Sequence, residues 1–496
     1  VSLRQKAVTG LAWSAIDKWG QQAISFLVFL VLSRLMEPEA FGLVALATVF
    51  TSYVRVFVDQ GMGQAIVQRA ELDPEHLHTA FWFNVLMGTL LTVAGILLSG
   101  WVANLFDEPR LAPVLAWLSL TFLLFSLSST QQAILERQLD FKRLSIRSLV
   151  AVISGGIVGV GAALLGFGVW SLVFQILINR LVGTLMLWGV SDWRPKFRFS
   201  IAHIKDLFGF SLNVLALRVV FLLSGRLDNL LIGYFLGATA LGYYFVAQRL
   251  LQAIDNLITG VTSVVTFSSF SRLQWQPARL RQALNRATQY TSLIAFPLFL
   301  GIAMLAPELV SVLFGDKWLP AVPVMQILAL GGLVNSLHNF NFTLLSALGK
   351  PFWALVLIIL STPVIVIGFI LAVPWGIAAI AAVIVGVKIL FAPPTLLLVD
   401  RLIQLDFRIY FKQFVPPLAA SLAMSAVLLG LRRITDNALA ADATLVVFGL
   451  VGALVYVFVL HLVNPALRGQ LVDLAHLLLP ESLFSRVDLP KSKPRE

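Results

Sequence analysis

Residues 41–69 read FGLVALATVFTSYVRVFVDQGMGQAIVQR. Up to Val58 the stretch is almost wholly apolar, and its few polar residues are spaced. Thr48, Ser52, Arg55 and Asp59 stand at i, i+4, i+7 and i+11. That interval returns to one face of a 3.6-residue helix. A long apolar helix with a single polar stripe, one arginine and one aspartate on it, reads as a membrane helix turning that stripe inward. Two hundred residues on, Gln248, Gln252, Asp255 and Thr259 keep the same spacing, flanked by Arg249 and Asn256. The stripe and its copy point to a repeated bundle.

Composition agrees. Of 496 residues, 58% are hydrophobic and 12% charged, against about a quarter charged in soluble domains. Segments long enough to span a bilayer, about 20 residues each, centre on 8–33, 41–67, 82–105, 112–134, 146–166, 169–189, 208–235, 241–269, 288–306, 321–348, 353–372, 376–399, 415–431 and 444–463. The expected fold is an all-α integral membrane protein of about fourteen transmembrane helices. The alternating ten-residue strands of an outer-membrane barrel are absent. Asp17-Lys18 interrupts the first segment and no cleavage pattern follows, so it is expected to persist as a helix.

The repeat continues beyond the stripe. Glu39-Ala40-Phe41-Gly42 matches Thr239-Ala240-Leu241-Gly242 at an offset of 200; Leu105-Phe106 matches Leu313-Phe314 at 208; Pro113-Val114-Leu115 matches Pro323-Val324-Met325 at 210. Two parallel six-helix halves follow: an N-lobe over 1–190 and a C-lobe over 208–400, joined by an interfacial linker at 191–207. Helices 13 and 14 at 401–466 and a tail at 467–496 lie outside the repeat. Parallel repeats of this kind place a substrate between the halves of a transporter.

The basic excess, 36 Lys and Arg against 25 Asp and Glu, is concentrated in alternate loops. Arg34, Arg110, Lys317, Arg432 and Arg433 are the basic residues on the opposite side. By the positive-inside rule both termini are cytoplasmic. Charges spread over many short loops do not form a nucleic-acid footprint. No thiol chemistry is available, since there is no cysteine. No Walker loop or H-E-x-x-H occurs, and Gly61-Met62-Gly63 lacks the third glycine of a dinucleotide turn. No enzyme site and no organic cofactor are expected.

Charges inside the segments cost about 2.5–3.5 kcal/mol each at a helix centre and usually face a cavity. The cations are Lys18, Arg55, Arg180, Arg218, Arg226, Arg249 and Lys388; the anions are Asp17, Asp59, Asp228 and Asp255. Arg180 and Lys388 are repeat partners, as are Lys18 and Arg218. A symmetric surplus of cations calls for an anionic guest or a wet path. Simpler readings stand beside this one. Arg55 and Asp59 can pair at i,i+4, and Arg180 and Lys388 can snorkel to the membrane edge. Arg55, Arg249, Arg218, Arg226 and Lys18, with Thr48, Ser52, Gln248, Gln252 and Asn256, form the expected substrate-binding set. Asp59, Asp255, Asp228 and Asp17 are candidates for salt bridges or for carrying a coupling proton or sodium ion.

SLRQKAVTGLAWSA (2–15), FVDQGMGQAIVQR (57–69) with HTAFWFNV (78–85), RQLDFKRL (137–144) and LFGDKW (313–318) resemble the polysaccharide flippases of the colanic-acid, teichuronic-acid and O-antigen type. These belong to the multidrug/oligosaccharidyl-lipid/polysaccharide (MOP) exporter superfamily. The resemblance implies two six-helix lobes around a central cleft, two appended helices and alternating access in the bacterial cytoplasmic (inner) membrane. It implies an undecaprenyl-pyrophosphate-linked oligosaccharide moved from the cytoplasmic to the outer leaflet, in contact with membrane lipids and with a polysaccharide polymerase and chain-length complex. Related flippases place basic residues on helices one, two and eight, where this chain has Lys18, Arg55 and Arg249. Three other readings compete. An organic-cation antiporter of the same superfamily calls for a predominantly acidic cleft. A membrane glycosyltransferase calls for a sizeable outer loop with carboxylates. A non-transporting scaffold has no use for the charged stripes.

Overall fold

The computed structural model describes residues 3–59, 62–69, 73–201, 225–435 and 440–463. Among them all regular structure is helical: α1 (Leu3–Leu35), α2 (Pro38–Asp59), α3 (Met62–Gln68), α4 (Pro74–Leu105), α5 (Leu111–Arg137), α6 (Phe141–Leu164), α7 (Val169–Val190), α8 (Leu227–Leu273), α9 (Pro277–Leu313), α10 (Val322–Ala347), α11 (Pro351–Ala372), α12 (Gly376–Ile403), α13 (Phe407–Lys412), α14 (Val415–Thr435) and α15 (Ala441–Val463). Eleven stretches of the described residues are long and apolar enough to cross a membrane. This is the multi-pass helical membrane fold that the hydropathy pattern predicts. Within the second expected segment α2 runs to Asp59 and α3 starts at Met62, with residues 60 and 61 outside the described residues. Most of the seventh lies outside the described residues, as do Arg218 and the tail.

Helix ends follow local chemistry. Pro74 opens α4, where its missing N–H costs nothing. Asp140 caps α6 by accepting from Arg143 N at 3.2 Å, and Asp406 caps α13 by accepting from Arg408 N at 2.9 Å.

The described chain packs as two compact units. One comprises Val1–Ala253, Leu313–Met325 and Phe352–Val387; the other Ile254–Val312, Gln326–Pro351 and Lys388–Glu496. In the first, small residues let helices approach closely. A Cβ on Gly155 would lie 2.6 Å from the Gln175 carbonyl oxygen of α7, and one on Gly156 would lie 2.5 Å from Val28 of α1. On α4, Gly88 and Gly95 face Ser126 and Ser119 of α5 in the same way. In the second unit, Leu293 and Leu300 of α9 bury Met424 of α14 and Phe448 of α15. The Tyr456 hydroxyl donates to Leu293 O at 2.8 Å, and Arg432 of α14 pairs with Glu308 of α9.

The repeat is visible as a contact. A Cβ on Gly42 would sit 1.7 Å from the Ala238 carbonyl oxygen, and one on Gly242 would sit 2.0 Å from that of Pro38. Adding 200 to Gly42 and subtracting it from Ala238 gives Gly242 and Pro38. The contact is therefore reciprocal, as it is about a two-fold axis. The outlying match LFGDKW has a role beside it. Trp318 is fully buried, donates its indole N–H to Ser33 O at 2.9 Å, and packs edge-on against Phe41. Lys317 Nζ donates to Arg34 O at 3.1 Å. Trp318→Phe keeps most of the packing and strands the Ser33 carbonyl. It is expected to cost about 1–3 kcal/mol, read as a lower melting temperature of the purified protein; an unchanged melting temperature contradicts it.

α8 is not one straight rod. Gly237 breaks it at φ 80°, a conformation glycine adopts freely. The Tyr244 hydroxyl donates to Asp228 Oδ2 at 2.6 Å, although sixteen residues of straight helix span about 24 Å. The chain therefore folds back at Gly237 into a hairpin, so that expected segments seven and eight meet there.

Candidate functional site

α2, α5 and α7 pack against one another and line a half-open cavity of about 210 Å³. Thr48, Thr51, Ser52 and Arg55 line it from α2, Leu118, Thr121 and Phe125 from α5, and Ile176 and Arg180 from α7. None of these lining residues is acidic. The i, i+4, i+7 stripe of α2 thus faces a real space, and the separately noted Arg180 opens into the same one.

The two chemistries of the wall are distinct. The Arg55 guanidinium lies over the Phe125 ring, 4.4 Å from its centroid, a cation–π contact that fixes the plane of the fork. The hydroxyls turn their protons back onto their own helices. Thr48 Oγ1 donates to Ala45 O at 2.8 Å, Ser52 Oγ to Thr48 O at 2.6 Å and Thr121 Oγ1 to Leu118 O at 2.5 Å. Their free lone pairs accept hydrogen bonds, whereas the arginines only donate. Arg147 of α6 is a further cation, within electrostatic range of Arg55 and Arg180 and of Asp17 and Glu136. Its Nε donates to Gly183 O at 3.2 Å. The intramembrane cations read from the sequence do not include it, although it stands at the start of the expected segment 146–166.

A second cluster forms on the α8 hairpin. Asp228 accepts from Tyr244 at 2.6 Å and from Gln248 Nε2 at 3.0 Å. Arg249, the neighbour of Gln248, donates to Ser25 Oγ of α1 at 3.2 Å and lies within electrostatic range of Arg226. Four residues of the expected set, Arg226, Asp228, Gln248 and Arg249, are therefore brought together. Asp17 meets the first group only through Arg147 and accepts from Gln21 Nε2 at 2.7 Å on α1. Others are apart from both groups: Lys18 is exposed. Gln252 and Asn256 are exposed on α8, and Lys388 is exposed on α12. Asp255 accepts from Asn335 Nδ2 at 3.1 Å in the second unit. The side chains of Arg218 and Asp59 lie outside the described residues.

The start of the linker is extended and bound to α4. Trp82 stacks on Phe197 at 4.4 Å and donates to Lys196 O at 2.9 Å, while Lys196 N donates to His78 Nδ1 at 3.1 Å.

Residues 31–323 match the model of a family described as polysaccharide biosynthesis protein, a range that contains the whole cavity wall. The chain belongs to the polysaccharide biosynthesis protein family. Among relatives of this family, the teichuronic acid biosynthesis protein TuaB of Bacillus subtilis is 28% identical, covering 95% of this chain and 98% of its own. Among solved structures, the lipid II flippase MurJ in an inward closed conformation superposes with a TM-score of 0.75 at 16% identity, over 92% of this chain and 99% of its own. An inward-facing multidrug resistance MATE family transporter of the MOP superfamily gives 0.61 at 16% identity, over 77% and 95%. At such identities the structural likeness establishes the fold, and that fold is the one the sequence motifs imply. Membership in the polysaccharide biosynthesis family agrees with the resemblance carried by the same motifs, FVDQGMGQAIVQR and LFGDKW among them.

Proposed function

We propose that the protein is a flippase. It carries an undecaprenyl-pyrophosphate-linked oligosaccharide from the cytoplasmic to the outer leaflet of the bacterial inner membrane, by alternating access of the N-lobe (1–190) and the C-lobe (208–400). The observation that carries this reading is the α2–α5–α7 cavity, where Arg55 and Arg180 meet a ring of hydroxyls without a carboxylate among the lining residues. Guanidinium groups bind phosphate oxygens through charge-assisted, often bidentate hydrogen bonds. Threonine and serine oxygens whose protons are already engaged suit the donating hydroxyls of a sugar. The cavity is half-open, so the rest of the glycan and the polyprenyl tail extend beyond it. Both termini are cytoplasmic in this reading, and a polysaccharide polymerase receives the product at the outer face.

The test is translocation in proteoliposomes. A fluorescent undecaprenyl-pyrophosphate-linked oligosaccharide is expected to become accessible to an impermeant quencher on the far leaflet only when the protein is present. Failure to move it, together with uptake of an organic cation, overturns the proposal in favour of the antiporter.

A further inference from the structure

The two halves of the repeat make one contact with opposite chemistry. Arg55 of α2 lies over the ring of Phe125 of α5. The repeat offsets of those two helices, 200 and 210, lead to Asp255 and Asn335. These meet as well: Asn335 Nδ2 of α10 donates to Asp255 Oδ2 of α8 at 3.1 Å. The third member keeps its sign. Arg180 lies on the cavity wall, and its counterpart at an offset of 208, Lys388 of α12, is within electrostatic range of Asp255. Where the first repeat sets a cation on an aromatic ring, the second sets a carboxylate on an amide.

The neighbours of that pair are polar and underused. Asn335, His338, Asn339 and Phe342 stand at i, i+3, i+4 and i+7 on one face of α10. His338 Nε2 is buried without a hydrogen-bond partner among the described residues, and its ring centroid lies 5.9 Å from that of Phe342. The half-buried side chain of Asn339 makes no hydrogen bond among the described residues. Asn335 keeps a second N–H and its amide oxygen after serving Asp255. Lys388 is in electrostatic range of His338 too. The formal charges of Asp255 and Lys388 cancel, so the group lacks the positive excess with which Arg55 and Arg180 suit a phosphate. It offers mixed donors and acceptors beside an aromatic ring. Sugars match that combination, because each hydroxyl both donates and accepts and the C–H face of a pyranose is apolar.

We propose that Asp255, Asn335, His338 and Asn339 form a glycan-binding site in the second repeat, which selects the oligosaccharide by its hydroxyl pattern; this rests on the flippase reading above. The Asp255 carboxylate and the amide oxygens accept from sugar hydroxyls, and the amide N–H groups donate to them. His338 Nε2 does either, according to its tautomer. A glycan lacking the matching hydroxyl leaves these groups unpaired, which is how hydrogen-bonding sites discriminate most strongly.

Two ligands separate sugar from phosphate: the fluorescent undecaprenyl-pyrophosphate-linked oligosaccharide that the parent protein translocates, and undecaprenyl pyrophosphate without sugar. With the full chain in nanodiscs, the parent is expected to bind the first more tightly, and the ratio of the two Kd values reads the contribution of the glycan. Asn335→Ala combined with Asn339→Ala is expected to lower that ratio about tenfold. Asn339→Ala alone removes a side chain with no bond to lose in the folded chain. It is expected to lower the ratio about threefold, and it decides the matter if the double variant does not fold. Arg55→Ala with Arg180→Ala is expected to weaken both ligands and leave the ratio in place. Equal affinities of the parent for the two ligands, or a ratio unmoved by Asn339→Ala, overturn the glycan site and leave the flippase reading standing. A parent that neither binds nor moves the glycolipid removes both. Saturable binding of sodium ion alone, lost with Asn335→Ala, overturns the glycan site in favour of a cation site.

Discussion

Arg55→Ala combined with Arg180→Ala is expected to reduce export of the glycan at least a hundredfold while the protein still inserts and stays folded. Each arginine donates charge-assisted hydrogen bonds worth about 1.5–3 kcal/mol, and every 1.4 kcal/mol is about a factor of ten. Two lost donors therefore remove 3 kcal/mol or more. The effect on folding has the opposite sign or is small, because two cations share one cavity and repel each other. Arg55→Lys keeps the charge but loses the planar fork and its seat on Phe125, so an intermediate loss of about tenfold is expected. The measurement is translocation per correctly inserted molecule in proteoliposomes. Near-normal transport by the double variant removes the arginine pair from the mechanism.

The second large effect is structural. Gly42→Ala is expected to prevent recovery of folded protein, although it adds a single methyl group. That carbon would lie 1.7 Å from a backbone carbonyl oxygen, and the Gly242→Ala carbon 2.0 Å from another. No rotamer change relieves a clash with backbone. Overpacking alone costs about 1–3 kcal/mol where side chains can yield, and here they cannot. Gly161→Ala is the matched control, since nothing lies within 4 Å of its new carbon. The readout is the fraction of monodisperse protein on size-exclusion chromatography in detergent. Equal yields for Gly42→Ala and Gly161→Ala refute the close crossing.

Sequence periodicity located the membrane helices because burial in lipid imposes one rule on every residue of a span. It also located Thr48, Ser52 and Arg55, since a polar face within a single helix is a one-dimensional signal. It did not reveal Phe125, Thr121 or Ile176. These belong to the same wall only because α5 and α7 lie against α2, and nothing in the order of residues states which helices are neighbours. On α5 the visible polar residue Ser126 turns to Gly88 of α4, while the cavity is met by Thr121 and Phe125. A phenylalanine beneath a guanidinium has the same local sequence signature as one facing lipid. The Tyr244 and Gln248 donors of Asp228 stand sixteen and twenty residues on, across a turn marked only by Gly237, so no local pattern announces them.

The contact at Gly42 and Gly242 has a mechanical consequence. Helices that interdigitate through side chains are held at particular crossing angles by ridges seated in grooves. Where backbone meets backbone at one pair of glycines, there are no ridges to seat. The joint is then a point bearing: it fixes how close α2 and the second arm of α8 come, and leaves their mutual angle to be set by Trp318 and the other contacts around it.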